Sequence, residues 1–158
     1  MSIKITVDTS GWDKIKKNLL QANKEHLSVG FFDDAQYGPE NDNLFVATVA
    51  AWMEEGDPVQ YPPRPFIRMG FVPRLNSKEY QSVFKQAIDS VMSGKSTFKT
   101  AYNKIGPILK VGLQNEIISW NTPPNSPQTV ADKGFNDPLI NTGKMLESVD
   151  YKVERGSD

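Results

Sequence analysis

The sequence predicts an α+β domain: a small antiparallel β-sheet flanked by several α-helices, with long Pro-rich loops. Three observations carry this prediction. Two long apolar stripes recur at helical spacing between Tyr80 and Trp120. Short runs near both ends alternate apolar and polar side chains with period two. Proline clusters punctuate the chain at 62–65 and 123–138. Helical and strand periods in separate stretches are the mark of an α+β arrangement. At 158 residues the chain is long enough for one domain with its own core.

Taken in order, Ile3, Ile5 and Val7 alternate with Lys4, Thr6 and Asp8, which predicts a first strand. Asp8-Thr9-Ser10-Gly11 is a turn. Trp12, Ile15, Leu19 and Ala22 then recur at helical spacing, with lysines between them, which predicts an amphipathic helix from Trp12 to Lys24. Leu27, Val29 and Phe31 form a second strand, where Gly30 marks a bulge or a close backbone approach. The stretch Asp33 to Asn43 is polar and turn-rich. Read as a calcium loop from Asp33, it places Ala35, Tyr37 and Leu44 where oxygen ligands are needed. A flexible, solvated loop is expected instead.

Leu44 to Glu55 predicts a helix capped by Asn43 or Asp42 and ended by Gly56. It is apolar almost all round, so it should be covered by the rest of the fold or by a neighbouring subunit. Glu54 and Glu55 are adjacent and point about 100° apart on a helix, which suits a solvated helix end and not a catalytic carboxylate pair. Tyr61 to Phe66 reads as a stiff, polyproline-like passage that sets Phe66 against the core. It fixes Arg64 for a bidentate carboxylate contact.

Tyr80, Val83, Phe84, Ala87, Ile88 and Val91 predict a helix from Ser77 to Met92. The following Gly-Lys-Ser lacks the earlier glycine of a phosphate loop, where Asp89 stands. Tyr102, Ile105, Leu109, Leu113, Ile117 and Trp120 make the second stripe; a helix either starts near Pro107 or kinks there. Ser126-Pro127 is an N-cap with proline at the first helical position, and Gly134 suits the left-handed close of a short helix. Thr142 is the cap for another short helix over 143–148. Val149 to Val153 predicts a last strand, with Arg155 to Asp158 fraying.

Composition narrows the chemistry. The formal charge of -1 gives no strong overall field for nucleic acid or an anionic membrane. With no cysteine, disulfides, thiolate catalysis and cysteine-bound zinc are excluded, and with one histidine, His26, so is a multi-histidine metal site within one chain. Trp12, Trp52 and Trp120 fall on apolar stripes, where core packing is expected ahead of base stacking. The start of the chain lacks a signal-peptide core, and no apolar run reaches the roughly 20 residues of a spanning helix. A cytosolic product, with no membrane partner, is expected.

Four segments, in this order, resemble the neck and tail-completion family of tailed bacteriophages, which includes the lambda-type minor tail protein Z and related tail components. They are Val29-Gly30-Phe31-Phe32; the Val46–Gly56 run with its Trp-Met-Glu-Glu-Gly ending; Pro62-Pro63-Arg64-Pro65-Phe66; and Pro123-Pro124-Asn125-Ser126-Pro127 leading through Thr129 and Lys133 to Pro138-Leu139-Ile140-Asn141-Thr142-Gly143 and Ser148. Met53 and Asn141 depart from the asparagine-like and aspartate residues common in that family. The resemblance covers about residues 29 to 149. It implies a non-enzymatic virion protein that assembles in the neck or at the head-proximal tail end, commonly as a homo-oligomeric ring, beside other neck, connector, tail-terminator or tail-tube proteins. No cofactor is implied.

The expected interface lies in three irregular segments. It takes Asp33, Asp34, Tyr37 and Glu40 from the first loop, Tyr61, Arg64 and Pro65 from the proline passage, and Pro124, Asn125, Lys133, Asn141 and Thr142 from the long loop. The alternative is a DNA-binding module in which Lys14, Lys16, Lys17 and Lys24 of the first helix meet the phosphate backbone. A hydrolase with a scattered acidic site is the third reading.

Overall fold

A computed structural model describes residues 8–22 and 24–156, without the side chain of Glu40. The strand expected at Ile3–Val7 lies outside the described residues. The elements are α1 (Ser10–Ala22), β1 (Glu25–Gly30), a 3-10 turn at Pro39–Asn41, α2 (Val46–Glu55), α3 (Phe66–Leu75), α4 (Lys78–Met92), α5 (Phe98–Ser119), α6 (Pro127–Lys133), α7 (Lys144–Glu147) and β2 (Asp150–Arg155). The fold is α+β: among the described residues, helices surround one two-stranded antiparallel sheet.

β1 and β2 pair with Leu27 opposite Val153 and Val29 opposite Tyr151. Facing residues of an antiparallel pair share one side of the sheet, so these four form a single apolar face. That face lies on α5, the longest helix. Gly106 is what lets it approach: a methyl group there would stand 2.3 Å from Tyr151 Cδ2. The helix runs unbroken through Gly106 and Pro107, so it neither starts nor divides at the proline. Thr97 caps it, its hydroxyl accepting from the Thr100 amide at 3.2 Å.

Two buried clusters hang on α5. Its C-terminal half gives Leu113 and Ile117 to the larger one, with Val46, Ala50, Phe66, Leu139, Met145 and Val149. Its N-terminal half gives Ala101 and Ile105 to the smaller one, with Ala87 and Val91 of α4. Phe31 meets Phe66 edge to face, 6.0 Å between ring centres, which ties the end of the sheet to the larger cluster.

Several expectations are corrected. α1 does not bury its most apolar stripe. Asn18 faces inward, its amide donating to Ser96 O at 2.8 Å and Val91 O at 3.4 Å, while Trp12 and Leu20 are 64% and 67% exposed. Trp52 also stands outside, and of the three tryptophans Trp120 alone packs against a core cluster. α2 starts at Val46 with no side-chain cap, because Asp42 and Asn43 take left-handed backbone and close the preceding loop. α2 buries only Val46 and Ala50. The sequence reading assigned no element to 67–76, where α3 forms. Arg155 does not fray: it pairs with Glu25, and the Gly156 amide donates to Lys24 O at 2.7 Å.

Candidate assembly site

The site is built where α2 ends. Gly56 leaves the helix with φ 73°, and a methyl there would stand 2.5 Å from Pro63 N, so glycine alone lets the proline passage fold back on the helix end. The Arg64 amide then donates to Met53 O at 2.7 Å. Glu54 reaches forward from the same turn and accepts from the amides of Ile67 at 2.7 Å and Arg68 at 3.2 Å. It caps the N-terminus of α3, where orphan amides and the helix dipole favour a carboxylate. Glu54 is therefore not the solvated helix end expected from sequence, and its side chain is 11% exposed.

Arg64 is also placed differently from expectation. It is 7% exposed, and among the described residues its partners are not carboxylates. Its Nε–H donates to Pro123 O at 3.4 Å, Nη1 to Pro138 O at 3.4 Å, and Nη2 to Pro124 O at 3.3 Å and Asn125 Oδ1 at 3.4 Å. Nη1 also lies 3.7 Å from Met53 Sδ. The irregular backbone around these prolines offers its carbonyls no regular ladder, and a five-donor fork supplies partners for several at once. Burial pushes the guanidinium pKa below its usual value, yet arginine remains the one cation that stays charged in such surroundings. Arg64 is thus an internal fastener and not a surface contact.

A second cation closes the same loop. Lys133 Nζ donates to Asp137 O at 2.7 Å and to Ile140 O, and it lies 4.7 Å from the centre of the Phe135 ring. Desolvation lowers its pKa, Asp137 opposes that, and Arg64 reinforces it. The short helix α6 between the two fasteners has the expected ends. Ser126 Oγ accepts from the Thr129 amide at 3.1 Å, and Gly134 takes φ 80° with its amide on Val130 O. At α7 the N-cap position belongs to Gly143, while Thr142 Oγ1 accepts from the Lys144 amide at 3.3 Å.

The loop at 33–43 is folded as well, against the expectation of a flexible one. Tyr37 N–H donates to Leu44 O at 2.9 Å, Val46 N–H to Ala35 O at 3.0 Å, and Asn43 N–H to Gly38 O at 3.1 Å. It lays Tyr37 beside α2 and the long loop, where burial raises the phenol pKa. Together these segments enclose a depression of about 160 Å³. Tyr37, Val49, Met53, Ile140 and Met145 line it, with Lys133, Asn141, Thr142 and Lys144 among its polar lining.

The structure therefore gathers Tyr37, Lys133, Asn141 and Thr142 around one depression, and Arg64, Pro124 and Asn125 into one hub. Pro65 stands at the N-cap position of α3. Asp33 and Asp34 are set apart at the sheet, where Lys152 Nζ meets Asp34 at 2.9 Å and Phe32 at 4.1 Å from the ring centre. Tyr61 pairs with Asp57 across a tight turn. Glu40 lies on the 3-10 turn, its side chain outside the description. Of the lysines, Lys14 and Lys17 line a depression with Lys95, which sequence reasoning missed. Lys16 sits about 200° round the helix from Lys14, and Lys24 lies beyond the helix end. Glu54 was missed in its role. Its signal was faint: a glutamate closing one helix, with a proline passage returning the chain to it.

Among the described residues no cluster of three His, Cys, Asp or Glu is placed to hold a metal ion, and no helix is long and apolar enough to cross a membrane. What this arrangement offers is shape: loops held rigid from within, around a small depression of mixed apolar and polar lining that includes two lysines. Searches against protein-family models, curated proteins and solved structures found no match to this chain.

Proposed function

We propose that this chain is a structural virion protein of a tailed bacteriophage. It acts in the neck or at the head-proximal tail end as a homo-oligomeric ring that completes the tail or joins it to the head. Its partners are copies of itself and other neck, connector, tail-terminator or tail-tube proteins, and it works by fit and not by turnover. One observation carries the reading. Three of the four segments that carry the resemblance meet at one residue: Arg64 of the proline passage bonds Met53 O through its own amide and the carbonyls of Pro123, Pro124 and Pro138 through its guanidinium. A motif set scattered over some hundred residues is thus one physical unit, which is what a fixed docking surface needs.

Exposed apolar side chains support the same reading. Phe45, Trp52, Met69 and Val72 are each 41% exposed or more. Side chains of this kind are covered when a subunit enters an assembly. The test is native mass measurement of the purified chain at assembly concentrations, followed by co-sedimentation with phage tails and heads from a mutant lacking the gene product. A closed oligomer, or capture by one of those particles, is expected. A strict monomer that joins neither particle overturns the reading.

A second reading, DNA binding, is favoured by the lysine depression. Among the described residues its lining holds Lys14, Lys17 and Lys95 and no carboxylate. Binding of duplex DNA that falls steeply with salt is its signature. No binding at low salt removes it.

A further inference from the structure

Asp57 to Tyr61 form a rigid projection. Asp57 and Tyr61 exchange backbone hydrogen bonds at 2.9 and 3.2 Å, and Asp57 Oδ1 accepts from the Val59 and Gln60 amides at 2.8 Å each. At the apex Val59 is 92% exposed, the most exposed large apolar side chain among the described residues. It contributes nothing to either core cluster. An apolar side chain on a pre-ordered turn loses little conformational freedom on docking, which is the condition for an anchor residue.

A receptor of matching size is present on the same chain. The depression lined by Tyr37, Val49, Met53, Ile140 and Met145 holds about 160 Å³. A closed apolar cavity of roughly 150 Å³ takes one benzene-sized group; this depression is open and its lining is mixed, so its apolar side has room for a single aliphatic side chain and not for a helix. The charges agree. Glu55 and Asp57 flank the projection, and the stretch 55–63 has no lysine or arginine. Arg68 reaches Glu55 only at 3.8 Å, from a side chain 63% exposed. Lys133 and Lys144 stand at the receptor. The projection takes no part in lining the depression of its own chain, and its four hydrogen bonds hold it as it is.

We infer that the Asp57–Tyr61 turn of one copy seats Val59 in the Tyr37–Met53–Met145 depression of a second copy. The contact is head to tail: projection and receptor are different surfaces, so each copy gives one and offers the other. Such heterologous contacts close into a ring when their rotation allows. The inference rests on the ring reading above and names the surface that builds it.

The chain has no cysteine, so engineered thiols report without background. The experiment compares Val59→Cys, Thr142→Cys and the double variant under mild oxidation, with Val59→Lys measured by native mass. A ladder of covalent multimers is expected from the double variant alone, ending at the copy number of the intact oligomer, because a disulfide needs Cα atoms within about 7 Å. Each single variant should give no species beyond a dimer. Val59→Lys, which sets a cation against Lys133 and Lys144, should run as a monomer with an unchanged circular dichroism spectrum. If the wild-type oligomer forms but the double variant gives no ladder and Val59→Lys still assembles, this contact is wrong and the ring reading survives. A wild-type chain that is strictly monomeric overturns both.

Discussion

Removing the Arg64 side chain leaves the carbonyls of Pro123, Pro124 and Pro138 short of a buried donor. Arg64→Ala should therefore cost about 1.5–3 kcal/mol, the range for hydrogen bonds to a charged group, read from the urea midpoint. Arg64→Lys should recover little, because one ammonium cannot span acceptors arranged for a planar fork. If lysine restored full stability, the fork would not be what holds the loop. The sequence made the rigid setting of Arg64 legible, through its prolines. It did not disclose the target, since the acceptors are backbone carbonyls that any residue supplies. Asn18 is a parallel case: its inward turn depends on Val91 O and Ser96 O, which no count of apolar residues on α1 reveals. Asp150 allows a pH test. The Lys110 ammonium, followed by the Tyr151 amide, holds its carboxyl below the ordinary carboxylate value. A lowered folded-state pKa means that its stabilisation is present above the unfolded value and lost as pH falls through the folded one. Lys110→Met should raise the Asp150 midpoint in an NMR titration without bringing it fully to the ordinary value, because the Tyr151 amide remains.

Elements differ in how far they announce themselves, and the reason is where their ends are satisfied. α4 and α6 carry their caps within the local sequence: Ser77 accepts from the Tyr80 amide and Ser126 from the Thr129 amide. α6 was predictable for that reason, and α4 from its apolar stripe. α3 has no side-chain cap of its own, holds Pro73 inside, and lacks a polar face, with Met69, Val72 and Leu75 exposed. Its start is set by Glu54, thirteen residues earlier in the chain. Arg74 and Asn76 donate to Gly70 O and Val72 O near its end. A helix fixed by a distant carboxylate leaves little trace in a local window. Glu54→Ala should cost about 1 kcal/mol, as loss of a cap does, and speed amide exchange at Ile67 and Arg68 ahead of the rest of α3. Glu54→Gln keeps an acceptor but loses the attraction to the helix N-terminus, and should fall between the two. An unchanged exchange pattern in Glu54→Ala would mean that α3 is placed by packing alone.

At the scale of the molecule, both core clusters share one spine. α5 spans 22 residues, about 33 Å at 1.5 Å per residue, with Ala101 and Ile105 in one cluster and Leu113 and Ile117 in the other. The sheet packs on the same helix, with Tyr151 against Gly106. A helix continuous between two packed regions couples them, because either half of α5 alone is about three turns, too short to persist as a helix without its packing. Leu113 is fully buried in the larger cluster. Leu113→Ala should cost about 2–5 kcal/mol, according to how far the site collapses around the missing side chain. Unfolding should remain a single transition. The sharper measurement is native-state hydrogen exchange. Protection at Ala101 and Ile105 in the far cluster should fall by the same free energy as protection at Glu147 and Ser148, whose amides are bonded to Gly143 O and Lys144 O nearer the substitution. A loss confined to the near cluster would show that the chain holds two separately melting units. Under the assembly reading the difference matters: a head-to-tail contact closes into a ring only if each copy holds its two surfaces at one fixed rotation, and a chain that melts as one body holds them so.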